Sequence, residues 1–381
     1  MFKNKILIIN KLDIRFKDGY YNKFKGQYKA LKKNNFKISL IVFYGSFIVY
    51  IYQNKILKKF KVIKFVPRSI QFILFSFFYA FKSDAKFIYF RHNYSNPIEI
   101  FLAIILKSRK VIFAEFPSYP YRRILSKHNE FKYKIAFLLD SFCLPFVKYA
   151  YTYALNIGSN RNILGLKTLF ISNGIDIDSY KSKKNNFNTN KKRLNFLFIG
   201  NLINYHGLDR LINGISIFLE QKGELLELNL DIISSDTDEY KRLKNLVNSL
   251  RLNKYINFIS GVYNKQLNYY YDKADIGLSA LAWHRVDITF PSNIKSREYC
   301  VFGLPYLYSG KDPLINNKFK YAFQVPGDNS PIDIMKILKF KNLIYANKQF
   351  PEKMKSFAAK SLNWEYAMNN FLKLLLIENQ N

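Results

Sequence analysis

The sequence predicts an α/β chain of two successive halves, each a mostly parallel sheet wound with right-handed crossover helices. Three observations carry this reading. Short β-branched or aromatic runs alternate with helical stretches up to Ser172. From Asp176 to Arg193 the chain turns polar (DIDSYKSKKNNFNTNKKR) and loses any apolar period. The same alternation then restarts at Leu194. With 381 residues, the length suits two domains of the usual ~100–200 residues.

In the first half, strands are expected at Lys5–Asn10, Phe36–Phe43, Lys61–Val66, Lys86–Arg91, Lys110–Phe116, Ala154–Ile157 and Thr168–Ser172. Between them, Asn96–Ser108 (NPIEIFLAIILKS) opens on Asn-Pro, a helix-start signal, and is apolar almost all round, which predicts burial between layers. In the second half, strands are expected at Leu194–Ile199, Leu228–Ile233, Ile256–Ser260 and Ile276–Leu281. Helices alternate with them over Gly207–Gly223, Asp238–Leu252 and Gln266–Ala274. The first of these aligns Leu208, Leu211, Ile212, Ile215, Phe218 and Leu219 on one face. At the end, Trp364, Met368, Phe371, Leu372 and Leu375 recur at helical spacing, as in a terminal helix packed on a core. The domains are read as 1–178, a linker 179–193, 194–350, and a C-terminal helix 351–381.

Lys+Arg number 60 and Asp+Glu 27, a formal charge of +33, but 49% of residues are hydrophobic and 18% aromatic, which excludes a disordered polycation. Part of the excess matches the Lys, Asn, Ile, Phe and Tyr bias of an AT-rich genome; the remaining field favours anionic partners. Cys143 and Cys300 lie far apart without metal-binding spacing, so neither a disulfide framework nor a zinc module is expected, and a reducing compartment fits. The apolar run Ile6–Ile9 is too short for a signal peptide and reads as a strand. The longest uncharged apolar stretch, Ile70–Phe81, falls short of the ~18–20 residues that span a bilayer, so a cytoplasmic chain is expected.

Open parallel sheets bind ligands beyond the carboxyl ends of their strands, so the junctions after strands hold the candidates. After the first strand, Gly19 precedes a helix, as a ligand-binding glycine or an ordinary turn. Arg91 ends the fourth strand, and His92, Asn93 and Tyr94 follow it; a lone histidine is more often structural than catalytic. Glu115 ends an apolar strand, where a carboxylate needs a partner or a task, and Phe-Pro-Ser-Tyr119-Pro-Tyr follows it. In the second half, Gly200, Asn201 and His206 lie between a strand and a helix N-terminus, as an anion site or an ordinary loop. The strongest local signal is Pro291-Ser-Asn-Ile-Lys295-Ser-Arg-Glu298, after the loop holding Trp283, His284 and Arg285. Ser292 is expected to cap a helix that puts Lys295 and Glu298 on one face, as a phosphate-neutralising cation and a ribose-binding carboxylate, or as a surface salt pair.

Other chemistries lack their residues. Asp236-Thr-Asp238 has a D-x-D pattern, but acidic residues in a first helical turn need no metal. Phosphate-loop, dinucleotide, zincin and hydrolase motifs are missing from the sequence.

Taken in order, Ile171-Ser-Asn-Gly-Ile-Asp176, Phe198-Ile-Gly-Asn-Leu202, Ile256-Asn-Phe-Ile-Ser-Gly261-Val262, Tyr271-Asp-Lys-Ala-Asp-Ile-Gly-Leu-Ser-Ala280 and Ile294-Lys-Ser-Arg-Glu298-Tyr-Cys-Val-Phe-Gly-Leu-Pro305 resemble the GT-B-fold retaining glycosyltransferases of bacteria. These are the family 4-like, group 1 enzymes of capsule, O-antigen and exopolysaccharide synthesis. The resemblance covers most of the second half and, more loosely, the Gly19 loop and the segment after Glu115. It implies two Rossmann-like, doubly wound parallel-sheet domains facing a cleft, and hexosyl transfer from a nucleotide-sugar to a lipid-linked or growing saccharide without metal or other cofactor. Glu298 corresponds to the family's ribose-holding glutamate and Gly261 and Val262 to its base-contacting loop; Gly200, Asn201, His206, Arg285 and Lys295 complete the implied donor set. Glu298, His92 and Glu115 are the catalytic candidates, His92 through its loose match to a histidine that some members place near the transferred sugar and Glu115 through its place at the end of a buried strand; Gly19, Arg91 and Tyr119 are the acceptor-binding candidates. The chain departs from the pattern where Phe290 replaces the first glutamate of E-x7-E, and where Asn201 and His206 replace the usual arginine and lysine. Retention would come from same-face attack, with the leaving phosphate taking the acceptor's proton. The last helix would cross back to the first domain, and basic aromatic-rich helices, Ile70–Lys82 and Phe137–Tyr151, would attach the chain peripherally to the anionic inner face of the plasma membrane. Two readings stand behind this one: a degenerate transferase fold that binds without turnover, and a basic nucleic-acid-binding protein, for which no binding module is visible and no nucleic-acid partner is therefore expected.

Overall fold

A computed structural model describes residues 4–16, 19–92, 94–117, 119, 122, 131–157, 162–180, 192–262, 266–315 and 319–380. The chain forms two compact units, Met1–Gly174 with Trp364–Asn381, and Ile175–Asn363. Of the linker expected at 179–193, residues 181–191 lie outside the described residues.

The first unit runs β1 (Lys5–Asp13), α1 (Gly19–Lys33), β2 (Lys37–Tyr44), β3 (Phe47–Tyr52), β4 (Lys55–Lys61), α2 (Arg68–Lys82), β5 (Phe87–Arg91), α3 (Pro97–Lys107), β6 (Val111–Phe116), α4 (Phe131–Cys143), α5 (Val147–Ala150), β7 (Tyr153–Ile157) and β8 (Lys167–Ile171). Its sheet has the order β4-β3-β2-β1-β5-β6-β7-β8. The β2–β3 and β3–β4 pairs are antiparallel, and the β1, β5, β6, β7 and β8 ladders are parallel. Period-two alternation sends Leu7, Ile9, Ile88 and Phe90 to one core, with Phe72, Ala103 and Val147. Ile6, Ile8, Phe87 and Tyr89 go to the other, with Phe24 and Leu31 of α1.

Two expectations need correction. The strand expected at Lys61–Val66 is instead β4, which ends at Lys61 and pairs with β3 through a two-residue turn at Gln53 and Asn54, both left-handed (φ 47° and 64°). Gln-Asn lacks the glycine that usually announces such a turn, so the hairpin is hard to read in sequence. The helix over Asn96–Ser108 starts as expected, with Pro97 in its first turn and the Asn96 side chain accepting from Ile98 N at 3.0 Å. It is not buried all round: Phe101, Ile104 and Ile105 are exposed, because this layer of helices is the outermost one described on that face.

The second unit runs β9 (Arg193–Ile199), α6 (Leu208–Lys222), β10 (Glu227–Ile233), α7 (Asp238–Ser249), β11 (Ile256–Ile259), α8 (Leu267–Lys273), β12 (Ile276–Leu278), α9 (Ile294–Phe302), β13 (Tyr306–Tyr308), β14 (Ala322–Gln324), α10 (Ile334–Tyr345) and α11 (Phe350–Ser361). The sheet order is β11-β10-β9-β12-β13-β14, all parallel. α6, α7 and α10 bury Leu211, Leu243 and Ile337 on one face. α8, α9 and α11 bury Tyr271, Cys300 and Met354 on the other. Thr237 caps α7 by accepting from Tyr240 N at 3.1 Å, so the D-x-D segment is a helix start.

Residues 351–381, read as one element, are divided. α11 packs in the second unit, whereas α12 (Trp364–Ala367) and α13 (Asn369–Gln380) add Trp364, Met368, Phe371 and Leu375 to the first unit's core. Gly26 in the middle of α1 makes room for this: a Cβ there would stand 1.9 Å from Trp364 Nε1. Cys143 and Cys300 are free and buried. Among the described residues no helix is long and apolar enough to cross a membrane.

Candidate functional site

In the second unit the strand order reverses at β9, flanked by β10 and β12, so a ligand crevice is expected beyond its carboxyl end. Gly200 follows β9 with φ 130°, a conformation that side chains rarely adopt, and a Cβ there would stand 2.9 Å from Lys295 Cε. The chain then makes a short turn that presents His206. That turn is clamped to the segment after β12: Leu281 N donates to His206 O (3.0 Å), Ala282 N to Tyr205 O (3.1 Å), and the Tyr205 and Trp283 rings stack at 4.5 Å.

The His206 ring is buried, and its Nδ1 accepts from Ile203 N–H at 3.1 Å. Burial and the Lys295 ammonium hold the imidazole well below its ordinary pKa, so it is neutral and its one proton sits on Nε2. That N–H faces Lys295 Nζ at 3.4 Å. Two donors therefore converge, and neither satisfies the other; the group that satisfies both is an oxygen acceptor, best an anionic one. Among the described residues no carboxylate forms an ion pair with Lys295. Burial lowers its pKa, offset in part by Glu298.

Asn293, not Ser292, caps α9, accepting from Lys295 N at 3.1 Å; Ser292 instead accepts weakly from Arg297. One turn on, Glu298 is half-buried, and Oε1 accepts the Tyr180 hydroxyl at 2.9 Å. Burial raises its pKa against the opposing pull of Tyr180 and Lys295. Gly261 (φ 74°) stands in the open, since a Cβ there would meet nothing within 4 Å, and Val262 is partly buried against the core of this unit. Asn201 is exposed and accepts from Ser235 Oγ at 2.7 Å.

Arg285, expected to contact donor, is engaged within the protein. Its guanidinium grips Asp209 through both Nη atoms (3.0 and 2.9 Å) and also donates to Asn204 O (2.9 Å) and Asn329 Oδ1 (2.8 Å). With those donors committed, it positions the turn that carries His206. Phe290, where the resemblance leads one to expect a glutamate, is partly exposed.

In the first unit the corresponding reversal is at β1, flanked by β2 and β5. Arg91 and Glu115 are register partners on β5 and β6. Glu115 is fully buried: Oε1 accepts from Lys23 Nζ (2.8 Å) and Arg91 Nη1 (3.0 Å), and Oε2 from Gln27 Nε2 (3.0 Å) and the Tyr89 hydroxyl. Burial alone would raise its pKa, but Lys23 and Arg91 hold it at about 2. A carboxylate with both oxygens so occupied orients its neighbours and has no lone pair ready for chemistry. His92 is also fully buried, with Nδ1 3.2 Å from the Tyr151 hydroxyl, Nε2 3.5 Å from Ser95 Oγ, and its ring 4.6 Å from that of Phe116. Both catalytic candidates of this unit are thus held by neighbouring side chains. Arg91 lies over the Tyr20 ring at 4.3 Å, Gly19 begins α1 in open surroundings, and Tyr119 packs edge-on to Phe116 at 6.3 Å.

Lys23, Gln27, Tyr89 and Tyr180 join these clusters without a motif that marks them in sequence. Lys23 and Gln27 at i, i+4 on α1, and Tyr89 and Arg91 at i, i+2 on β5, do share faces, which is the signal that was available. Tyr180 borders a polar stretch and carries no such signal. Among the described residues no group of three or more His, Cys, Asp or Glu is placed to hold a metal ion.

Residues 179–287 match the family described as Glycosyl transferases group 1. No curated protein sequence matches the chain. Among solved structures, sucrose-phosphate synthase from Thermosynechococcus elongatus is 14% identical over 98% of this chain and 100% of its own, with a TM-score of 0.65. A glycosyltransferase from Rickettsia africae ESF-5 is 12% identical over 98% of each chain, with a TM-score of 0.62. Anabaena HepE in complex with UDP-glucose is 12% identical over 98% of this chain and 99% of its own, with a TM-score of 0.60. These likenesses show the fold, two parallel-sheet α/β domains of the GT-B type. Together with the family match, they support a GT-B glycosyltransferase.

Proposed function

We propose that the chain moves a sugar, a hexose, from a nucleoside diphosphate sugar to a lipid-linked or growing surface glycan, with retention of anomeric configuration. The observation that carries this reading is the pair of donors, His206 Nε2–H and Lys295 Nζ, facing each other at 3.4 Å behind Gly200. A diphosphate oxygen placed against them would satisfy both. As the bond to the sugar breaks, charge grows on that phosphate, and donors already held in place stabilise it without reorganisation. Lys295 and His206 then do the work that a metal does in other transferases, so no metal is assigned. Glu298, one turn from Lys295, would accept the ribose hydroxyls, and the open Gly261–Val262 turn would take the base. Arg285 and Asn201 support the loop around them. Gly19, Arg91 and Tyr119 of the first unit are assigned to the acceptor, with Glu115 and His92 as positioning residues beneath them. Capsule, O-antigen or exopolysaccharide synthesis at the anionic inner face of the plasma membrane is the setting proposed.

The test is calorimetry with UDP, GDP and ADP, followed by nucleotide release from their sugars with lipid extract of the source cells as acceptor. One nucleotide should bind, and Lys295→Ala and Glu298→Ala should each weaken it roughly tenfold or more, since each removes a charge-assisted contact. Acceptor-dependent release establishes transfer. Binding without release would leave a nucleotide-binding protein without turnover, and no binding at all would overturn the reading.

A further inference from the structure

The helices covering one face of the first unit's sheet turn large apolar side chains away from the core. α2 exposes Leu74 and Phe78, α3 exposes Phe101 and Ile105, and α4 exposes Leu138 and Phe142, at 44–68% of their full exposure. α2 packs on α3 and α3 on α4, so these side chains belong to one layer. β4 continues it: the Phe60 ring lies 6.1 Å from that of Phe75 in α2, and Phe65, between β4 and α2, is 95% exposed. Apolar residues scattered singly over a surface are ordinary, but a set this dense on adjoining elements calls for a partner.

The charges on the same elements are one-sided. Lys55, Lys58, Lys59 and Lys61 of β4 are all exposed, as are Lys134 of α4 and Lys148 of α5. The only carboxylates in these elements, Glu99 of α3 and Asp140 of α4, are 1% and 0% exposed. Every exposed charge on the described residues of these elements is therefore positive. Lysines on an edge strand guard against unwanted pairing, which accounts for β4 but not for three helices with apolar outer faces. A second copy would set cations against cations. Nucleic acid matches the charge but leaves Leu74, Ile105 and Leu138 in water. An anionic bilayer matches both, taking apolar side chains into the acyl boundary and lysines among the headgroups. A cavity of about 510 Å³ lined by Val62, Lys64, Phe65 and Arg68 opens in the same stretch, with two cations suited to a phosphate.

We infer that the outer face of α2, α3 and α4, with the β4 edge and the 62–68 turn, is the surface by which the chain seats on an anionic lipid bilayer. The inference takes its purpose from the proposed function, since a lipid-linked acceptor lies at such a surface; its observations stand without it. It extends the seat beyond the two segments legible in sequence, to α3 and β4.

The test is co-sedimentation of the full chain with phosphatidylcholine vesicles, with and without about 30% phosphatidylglycerol. Binding is expected only to the anionic vesicles and should fall with salt. Lys58→Gln with Lys134→Gln should weaken it roughly 30-fold, from about fivefold per lysine. Leu138→Ser with Phe142→Ser should weaken it roughly tenfold or more by removing inserted apolar surface. Lys241→Gln with Lys336→Gln, exposed lysines of the second unit, should leave it unchanged. No binding, or an equal loss from the second-unit pair, overturns the inference. So does burial of this face in a dimer, seen by sedimentation velocity without lipid, or capture of single-stranded DNA that these variants abolish while vesicles are ignored. Calorimetry with UDP, GDP and ADP without vesicles separates the two readings: nucleotide binding without vesicle binding sinks only the seat, and the reverse sinks only the transferase.

Discussion

The Tyr180 hydroxyl donates to Glu298 Oε1 at 2.9 Å, while its ring meets Phe302 edge-on at 5.4 Å. The carboxylate expected to hold ribose is thus itself held, by a residue 118 positions away in the chain.

Tyr180→Phe removes that bond and leaves the ring contact. Burial already raises the Glu298 pKa, and the Tyr180 bond opposes the rise. Without it the pKa climbs further, so the carboxylate becomes protonated at a higher pH and stops accepting from ribose. Affinity for whichever of UDP, GDP and ADP binds should fall roughly three- to tenfold, and the acid limb of the affinity profile should move to higher pH, as read by calorimetry across a pH series. A fall in affinity with an unmoved acid limb would show that the hydroxyl only packs.

Gly200→Ala tests the anion site. The new Cβ meets a φ of 130° and the Lys295 side chain at 2.9 Å, so the lysine must move. The backbone cost is about 1–3 kcal/mol. The nucleoside diphosphate that the chain binds should bind roughly tenfold more weakly, whereas its nucleoside, which lacks phosphate, should bind as before. An equal loss for both ligands would mean that Gly200 serves the loop and not the diphosphate.

Glu115→Gln reports on the buried cluster of the first unit. The pKa of Glu115 is lowered to about 2, so its contribution to stability is complete above the ordinary carboxylate range and disappears as pH falls toward 2. The substitution leaves Lys23 and Arg91 without their counter-charge and should cost about 3 kcal/mol at neutral pH. That gap should narrow as pH drops through the ordinary carboxylate range toward 2, across which the native carboxylate loses its advantage. Denaturant midpoints of both proteins across the range measure it; a gap independent of pH would place the effect in packing alone.

Much of the architecture is legible in the sequence because it follows from local periodicity. The strand-helix alternation, the restart at Leu194 and the Asn-Pro start of α3 depend on residues a few positions apart. So does the pairing of Lys295 with Glu298 on one helix face. The β3–β4 hairpin is less legible, since Gln53 and Asn54 carry a turn without its usual glycine. The outward face of α3 reads as core in sequence, because apolar composition does not say which side another layer covers.

Sequence by itself determined that this chain has two α/β halves, which loops follow their strands, and which few polar residues stand at those ends. Tertiary structure alone decided what those residues touch. Glu115 and His92 ended up beneath the surface with their polar atoms engaged, Arg285 was drawn to Asp209, and His206 was turned so that its N–H meets Lys295. The physical reason is that burial and hydrogen bonding set which lone pairs and protons remain available, and the partners that settle this, such as Lys23 with Glu115 and Tyr180 with Glu298, lie 92 and 118 residues apart.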